Sequence, residues 1–264
     1  MDEQSRTGVI VGGSVAAVLL AVGVYFWMRS DPPPVVEPVV QQPAPTEEAP
    51  HYEVPASASP DGAQLPALAE SDSALLDGLK SLFTGEALQQ YLVPKDIVRR
   101  AVVTIDNLPR KKVAERLKPL KSIDGPFKVS GVDDSLTLDP ANTDRYRALM
   151  QLVSITDMEQ VSAVYFKFYP LFQESYKDLG YPNGYFNNRL VEVIDHLLAT
   201  PTVEGPIKLK QPGVMYEFAD PKLENLSAGQ KTMIRMGNEN AATIKNKLRE
   251  LRAAVTKKAA EQKQ

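Results

Sequence analysis

Beyond residue 67, apolar side chains recur every three or four positions through most of the chain, the spacing that lines one face of a helix. Ile97, Val98, Ala101, Val102, Ile105 and Leu108 form one stripe, and Leu190, Val191, Ile194, Leu197 and Leu198 form another. Tyr165, Tyr169, Phe172 and Tyr176 keep the same spacing and read as core. Pro109 suits a first helical position, predicting a helix through Leu117. Ser227 and Gln230 fit a capping box, in which hydroxyl and amide satisfy orphan backbone donors. A basic-faced helix behind them is expected to reach about Ala260, with a bend at Gly237. Two stretches break the helical pattern, residues 127–129 with 136–138 and residues 207–209 with 214–218. Both favour strands and are bracketed by Gly and Pro. The expected fold class is mainly α with two small β-hairpins, in one helical domain over residues 67–264.

The N-terminal pattern is different. Residues 8–28 carry no ionisable side chain except Tyr25, and as a helix they span about 31 Å, the thickness of a hydrocarbon core. Tyr25, Phe26 and Trp27, followed by Arg29, suit a membrane–water interface. A cleaved signal peptide would be shorter, with a small-residue site just behind it; Ala56-Ser57-Ala58 lies too far downstream. Residues 8–28 are therefore expected to form an uncleaved transmembrane anchor behind a short cytoplasmic tail, residues 1–7. Arg6 and Arg29 leave the positive-inside comparison tied. The short tail and the absence of cysteine favour placing the large part outside, in an oxidising compartment. The small residues Gly8, Gly12, Gly13, Ala17 and Ala21 would allow close approach of two such helices, hence a homodimer through the anchor. Residues 29–66 carry ten prolines and no hydrophobic period, so a disordered, acidic tether is expected there.

The two strand-like breaks sit in matching surroundings. Arg100, Val102, Ile105, Asp106 and Leu108 repeat as Arg189, Val191, Ile194, Asp195 and Leu197. Gly125-Pro126-Phe127-Lys128 repeats as Gly205-Pro206-Ile207-Lys208, and Asp139-Pro140 as Asp220-Pro221. Three motifs in one order suggest an internal duplication. Six residues on a helix is about 240°, so each Arg faces away from its own Asp. Arg100, Asp106, Arg189 and Asp195 are expected to pair with other elements, including across the two halves.

Composition narrows the chemistry. The chain has 264 residues, a formal net charge of −3 and no cysteine, which excludes a zinc–thiolate site, an iron–sulfur cluster and a cysteine nucleophile. Charge is segregated, with nine acidic and no basic residues between Arg29 and Lys80, and nine basic against three acidic from Lys231 onward. The two histidines, His51 and His196, are too few for a multi-histidine metal site, and neighbouring Asp195 does not face His196 on a helix. No phosphate-loop, dinucleotide, serine-hydrolase or zinc-protease motif occurs, and Asp133-Asp134 reads as a solvated turn. No catalytic residue, metal or cofactor is expected, and no nucleic-acid partner. Nine of the nineteen aromatics fall between Tyr165 and Phe186. The turn from Gly180 to Phe186 is harder to bury than the helix before it. Tyr181, Asn183, Tyr185 and Phe186, with Arg189 and His196, are the candidate interaction residues, suited to peptide recognition or sugar stacking.

Several words of the sequence resemble a known family: Ile105-Asp106-Asn107-Leu108-Pro109-Arg110, Leu179-Gly180-Tyr181-Pro182, Asp195-His196-Leu197-Leu198, Tyr216-Glu217-Phe218-Ala219-Asp220-Pro221 and Leu226-Ser227-Ala228-Gly229-Gln230. The resemblance, over roughly residues 75–255, is to uncharacterised Gram-negative envelope proteins defined only by a domain of unknown function. It implies a single-pass inner-membrane anchor and a periplasmic domain, and brings no activity. Two functions stay open: a non-catalytic envelope adaptor binding protein partners, and a protein that binds or remodels peptidoglycan. The missing pair of acid–base carboxylates favours the adaptor.

Overall fold

A computed structural model of the chain describes residues 51, 52, 54 and 65–257. The helical elements before the first hairpin are α1 (Asp72–Leu79), α2 (Gly85–Tyr91) and α3 (Ile97–Asn107). The hairpin β1 (Val129–Ser130) and β2 (Thr137–Leu138) follows, then α4 (Asn142–Arg145), α5 (Arg147–Ile155), α6 (Met158–Asp178) and α7 (Phe186–Leu198). After these come β3 (Leu209–Lys210), β4 (Glu217–Phe218), α8 (Pro221–Glu224), α9 (Ala228–Arg235) and α10 (Asn238–Thr256). The described part is mainly helical with two small antiparallel hairpins.

Helices α3, α6, α7 and α10 make the centre, because each carries an apolar stripe that must be covered. Val98 and Val102 of α3 meet Phe168 and Leu171 of α6 and Phe186 of α7 in one cluster. Val191 and Ile194 of α7 join Phe166 of α6 and Val255 of α10 in a second. Val193 and Leu197 turn toward Met233 of α9. Thus α7 is buried along most of its circumference, with Phe186, Val191, Val193 and Ile194 at 0–2% exposure. A helix covered on three sides sets the position of its neighbours.

The hairpins lie edge to edge. Leu138 N donates to the Ile207 carbonyl at 2.9 Å and Leu209 N to the Leu136 carbonyl at 2.8 Å, with a bridge between Thr137 and Lys208. Leu209, Phe218 and Ile234 fill the space beneath, together with Val129 and Leu138. The pairings Val129–Leu138 and Ser130–Thr137 recur 80 residues later as Leu209–Phe218 and Lys210–Glu217. Gly125 and Gly205 enter the two hairpins with φ of 80° and 76°, a left-handed turn that favours glycine.

The structure departs from expectation at four places. The helix expected from Pro109 is absent: the chain turns after α3, and only Glu115–Leu117 forms a single 3₁₀ turn. The intervening Arg110-Lys111-Lys112 has no apolar face to bury, and Lys111 Nζ instead reaches the Asn225 carbonyl. At Gly237 the expected bend is a full break, since φ of 90° leaves the helical region and starts α10 afresh. Phe186, expected at a recognition turn, is fully buried. Within the expected tether, Tyr52 and Val54 pack on the helical domain. The expected cytoplasmic tail and anchor, residues 1–28, lie outside the described residues. Among the described residues no helix is long and apolar enough to cross a membrane.

Candidate interaction surface

The connection from α6 to α7 is held by one side chain. Gln173 donates from Nε2 to the Gly184 carbonyl at 2.7 Å, while its Oε1 accepts from Phe186 N at 2.9 Å and Tyr169 Oη at 2.8 Å. Gly184 is needed for this close turn, because a Cβ there would stand 2.9 Å from Tyr176 Cε1. The candidates on the turn consequently separate. Tyr181 stacks on Tyr176, ring centroids 4.6 Å apart at 18°, and Phe186 stacks on Phe172 in the core. Asn183 and Tyr185 remain exposed.

Beneath Tyr181 lies a charged cluster that joins α3 to α7. Arg189 Nε donates to Asp106 Oδ1 at 2.9 Å and its Nη2 to the Asp106 main-chain carbonyl at 2.9 Å. Arg110 Nη2 donates to Asp106 Oδ2 at 2.7 Å and to Tyr181 Oη at 3.0 Å. The Asp106 side chain is 2% exposed and that of Arg189 17%. Burial works against the Arg189 charge, yet its bonds to Glu192 and Asp106 outweigh that and raise its pKa above the ordinary value. Arg189 and Asp106, two of the expected structural residues, therefore pair with each other and join α3 to α7. The other two do not meet: Arg100 donates to the main-chain carbonyls of Lys95, Arg116 and Lys118, and Asp195 takes both prongs of Arg252 at 2.6 and 3.0 Å.

His196 is part of a helix cap. Its Nε2 is 2.8 Å from Ser227 Oγ, which accepts from Gln230 N, and Gln230 Nε2 donates back to the His196 carbonyl. His196 thus bonds Ser227 while Asp195 bonds Arg252, so the two neighbours do not pair with each other. Among the described residues no group of three His, Asp or Glu side chains could hold a metal ion.

The N-terminus of α7 carries a feature that the sequence pattern does not announce. Asn188 Oδ1 accepts from Tyr52 N at 2.9 Å, and Asn187 Nδ2 donates to the Tyr52 carbonyl at 3.1 Å and to the Val255 carbonyl at 3.1 Å. One carboxamide acceptor and one donor thus match the N–H and C=O of a single residue, Tyr52. Asn187 is fully buried, and Tyr165 Oη donates to its Oδ1 at 3.2 Å, which fixes the amide's direction. Burial also pushes the Tyr165 phenol well above its ordinary pKa, so it stays a donor. Tyr52 and Val54 pack against the cluster of Phe166, Val191 and Val255, and the His51 ring lies 4.2 Å from that of Tyr185. The Arg252 charge is favoured first by its bond to Asp195 and also by Tyr52. Paired asparagines beside an aromatic at a helix start are the only signal that sequence reading had for this groove.

Residues 97–252 match the family described as Protein of unknown function (DUF3014). The match covers more than half of the chain, and the chain belongs to that family. No curated protein and no solved structure matches it.

Proposed function

We propose that this DUF3014 protein is a non-catalytic adaptor of the Gram-negative envelope, anchored in the inner membrane by residues 8–28, with its helical domain in the periplasm. It holds a protein partner by an extended segment laid along the start of α7. The observation that carries this reading is the seat of Tyr52, whose backbone N–H and C=O are both taken by side chains of the domain. Main-chain recognition beside an apolar step and an exposed aromatic is how extended peptides are bound. The apolar run at residues 8–28, its aromatic end and the proline-rich tether support the anchored arrangement. The matching hairpin registers and entry glycines support an internal duplication within the domain.

The test is in-cell photo-crosslinking from position 185. Recovery of one defined protein, lost in Asn188→Ala, is expected; recovery of muropeptides, or of nothing above background, sinks the adaptor reading. Reporter fusions after Gln264 check the topology. An inactive alkaline phosphatase fusion beside a fluorescent cytosolic-type fusion would reverse it.

A further inference from the structure

A second site stands apart from the α7 groove. The first hairpin, the start of α4, residues 203–207 and the elbow between α9 and α10 line an open cleft of about 530 Å³. Arg235 forms part of its wall, and the guanidinium is held in place without being neutralised. Nη2 donates to the Tyr216 carbonyl at 3.0 Å, and the group lies 5.1 Å from the Phe218 ring centre and 6.0 Å from that of Phe127. Its Nε is buried with no acceptor, and no carboxylate pairs with it among the described residues. A buried donor left unsatisfied is rare enough in folded proteins to require a cause. Glu224, whose charge favours the Arg235 cation, makes its ion pair with Lys231 at 2.6 Å. Burial lowers the Arg235 pKa, and the Glu224 and Tyr146 charges offset this only in part.

A helix start adds to the positive charge of the cleft. Gly237 and Asn238 line it, and α10, a helix of 19 residues, starts there with no side-chain cap. Its first amides add partial positive charge to that of the arginine. Gly237 has φ of 90°, and a Cβ there would stand 2.6 Å from Thr143 Oγ1, so glycine is needed at this corner of the cleft. Asp139 also lines the cleft, but its carboxylate is occupied by Ser130 Oγ at 2.7 Å and Ala141 N at 2.8 Å. These bonds hold its pKa below the ordinary value. The remaining lining includes Leu138, Val203 and Ile207, a surface for an apolar body.

We propose that the cleft binds a small amphiphilic carboxylate, with its charged end on Arg235 and the first amides of α10 and its apolar body on Leu138, Val203 and Ile207. Such a group is offered by a peptide chain end with an apolar last residue or by a free branched acid. The site is independent of the α7 groove and of the adaptor reading.

The experiment uses the full-length chain in a neutral detergent, with backbone amide NMR of Gly237 and Asn238 as the readout. N-acetyl-leucine stands for the chain end and isocaproate for the free acid; whichever binds more tightly identifies the source. N-acetyl-leucinamide has the same body without the charge, and inorganic phosphate has charge without the body. Saturable shifts from at least one of the two carboxylates are expected, at least tenfold tighter than from the amide or from phosphate. Arg235→Lys should weaken binding about tenfold. Pro206→Glu, an added anion at an exposed position of the rim, should weaken it severalfold without touching the arginine. No saturation by either carboxylate at about 10 mM, or equal binding of amide or phosphate, overturns the proposal.

Discussion

Removing the Arg189 side chain tests whether the buried charge cluster holds α3 and α7 together. Arg189→Ala takes two donors from Asp106, one from its carboxylate and one from its main-chain carbonyl, both at 2.9 Å. Breaking a buried ion pair by deleting one partner costs about 3–5 kcal/mol, because the surviving charge is left without compensation. Asp106 is only partly abandoned here, since Arg110 stays at 2.7 Å and the Tyr181 hydroxyl at 3.4 Å. The expected loss is therefore about 2–3 kcal/mol. At about 2–4 °C per kcal/mol for a folded part of this size, the melting temperature should fall by about 5–10 °C. Arg110→Ala removes a cation that is 54% exposed and should cost no more than about 1 kcal/mol. The assay is thermal and urea unfolding of the full chain, with the cycle of Arg189→Ala and Asp106→Ala to isolate the pair. A coupling of about 1–3 kcal/mol is expected. If Arg189→Ala melts within about 1 °C of the wild type yet loses the partner crosslinked from position 185, Arg189 belongs to recognition and the structural argument is refuted.

Three further outcomes follow from local geometry. His196→Ala loses one bond to the Ser227 cap while the Ser227–Gln230 box survives, so it should cost within about 1 kcal/mol; a larger loss in the same melts would show that the cap depends on the ring. Gly229→Ala places a Cβ 2.6 Å from Leu197 Cδ2 and 3.1 Å from the Leu108 carbonyl, where Gly229 N also bonds, and should destabilise by about 1–3 kcal/mol. A wild-type melt for this variant would mean that α9 can shift away from α3. Burial alone would raise the Glu224 pKa, but bonds from Lys231 and from Phe218 N outweigh it and hold the pKa below its usual 4.5. Its stabilisation is thus complete above that value and is lost as pH falls through the lower folded pKa. Glu224→Gln should make the chain less stable at neutral pH and flatten its acid limb in pH-dependent urea unfolding; an unchanged acid limb contradicts this.

Periodicity revealed the helices that carry continuous apolar stripes, because their burial is encoded position by position. It located α3 and α7, and the Gly-Pro brackets located both hairpins. The region after Pro109 failed because a proline compatible with a helix start does not supply an apolar face, and Arg110-Lys111-Lys112 has none. Phe186 failed for the opposite reason. Its neighbours Gly180, Pro182, Asn183 and Gly184 are turn residues, and composition cannot show that Gln173, on another helix, draws the end of that turn into the core. The same holds for the site. Arg189 and Asp106 were visible as repeated residues, but Arg110, Asn187 and Asn188 gain their roles only from partners between 4 and 136 positions away. Asp106 meets Arg110 four residues on, yet what makes the pair matter is Arg189, which arrives from α7.

The proposed duplication also bears on stoichiometry. The hairpins preserve main-chain features at an offset of 80 residues: register, entry glycines, and the bond of Asp139 N to the Lys128 carbonyl, repeated as Ala219 N to the Lys208 carbonyl. Side chains on the preceding helices have not stayed equivalent. Arg189 crosses to Asp106, whereas its counterpart Arg100 is spent on carbonyls of the loop after its own helix. By the alignment that matches Arg100 with Arg189, the positions of Asn187 and Asn188 correspond to Val98 and Arg99. Val98 is 1% exposed and has no polar atom in its side chain, and Arg99 is turned toward Asp178 at 4.0 Å. Neither can supply a carboxamide to an extended chain. On the proposed adaptor reading, the Asn187–Asn188 seat has no counterpart on α3, so one partner segment is taken per chain, in the place of Tyr52.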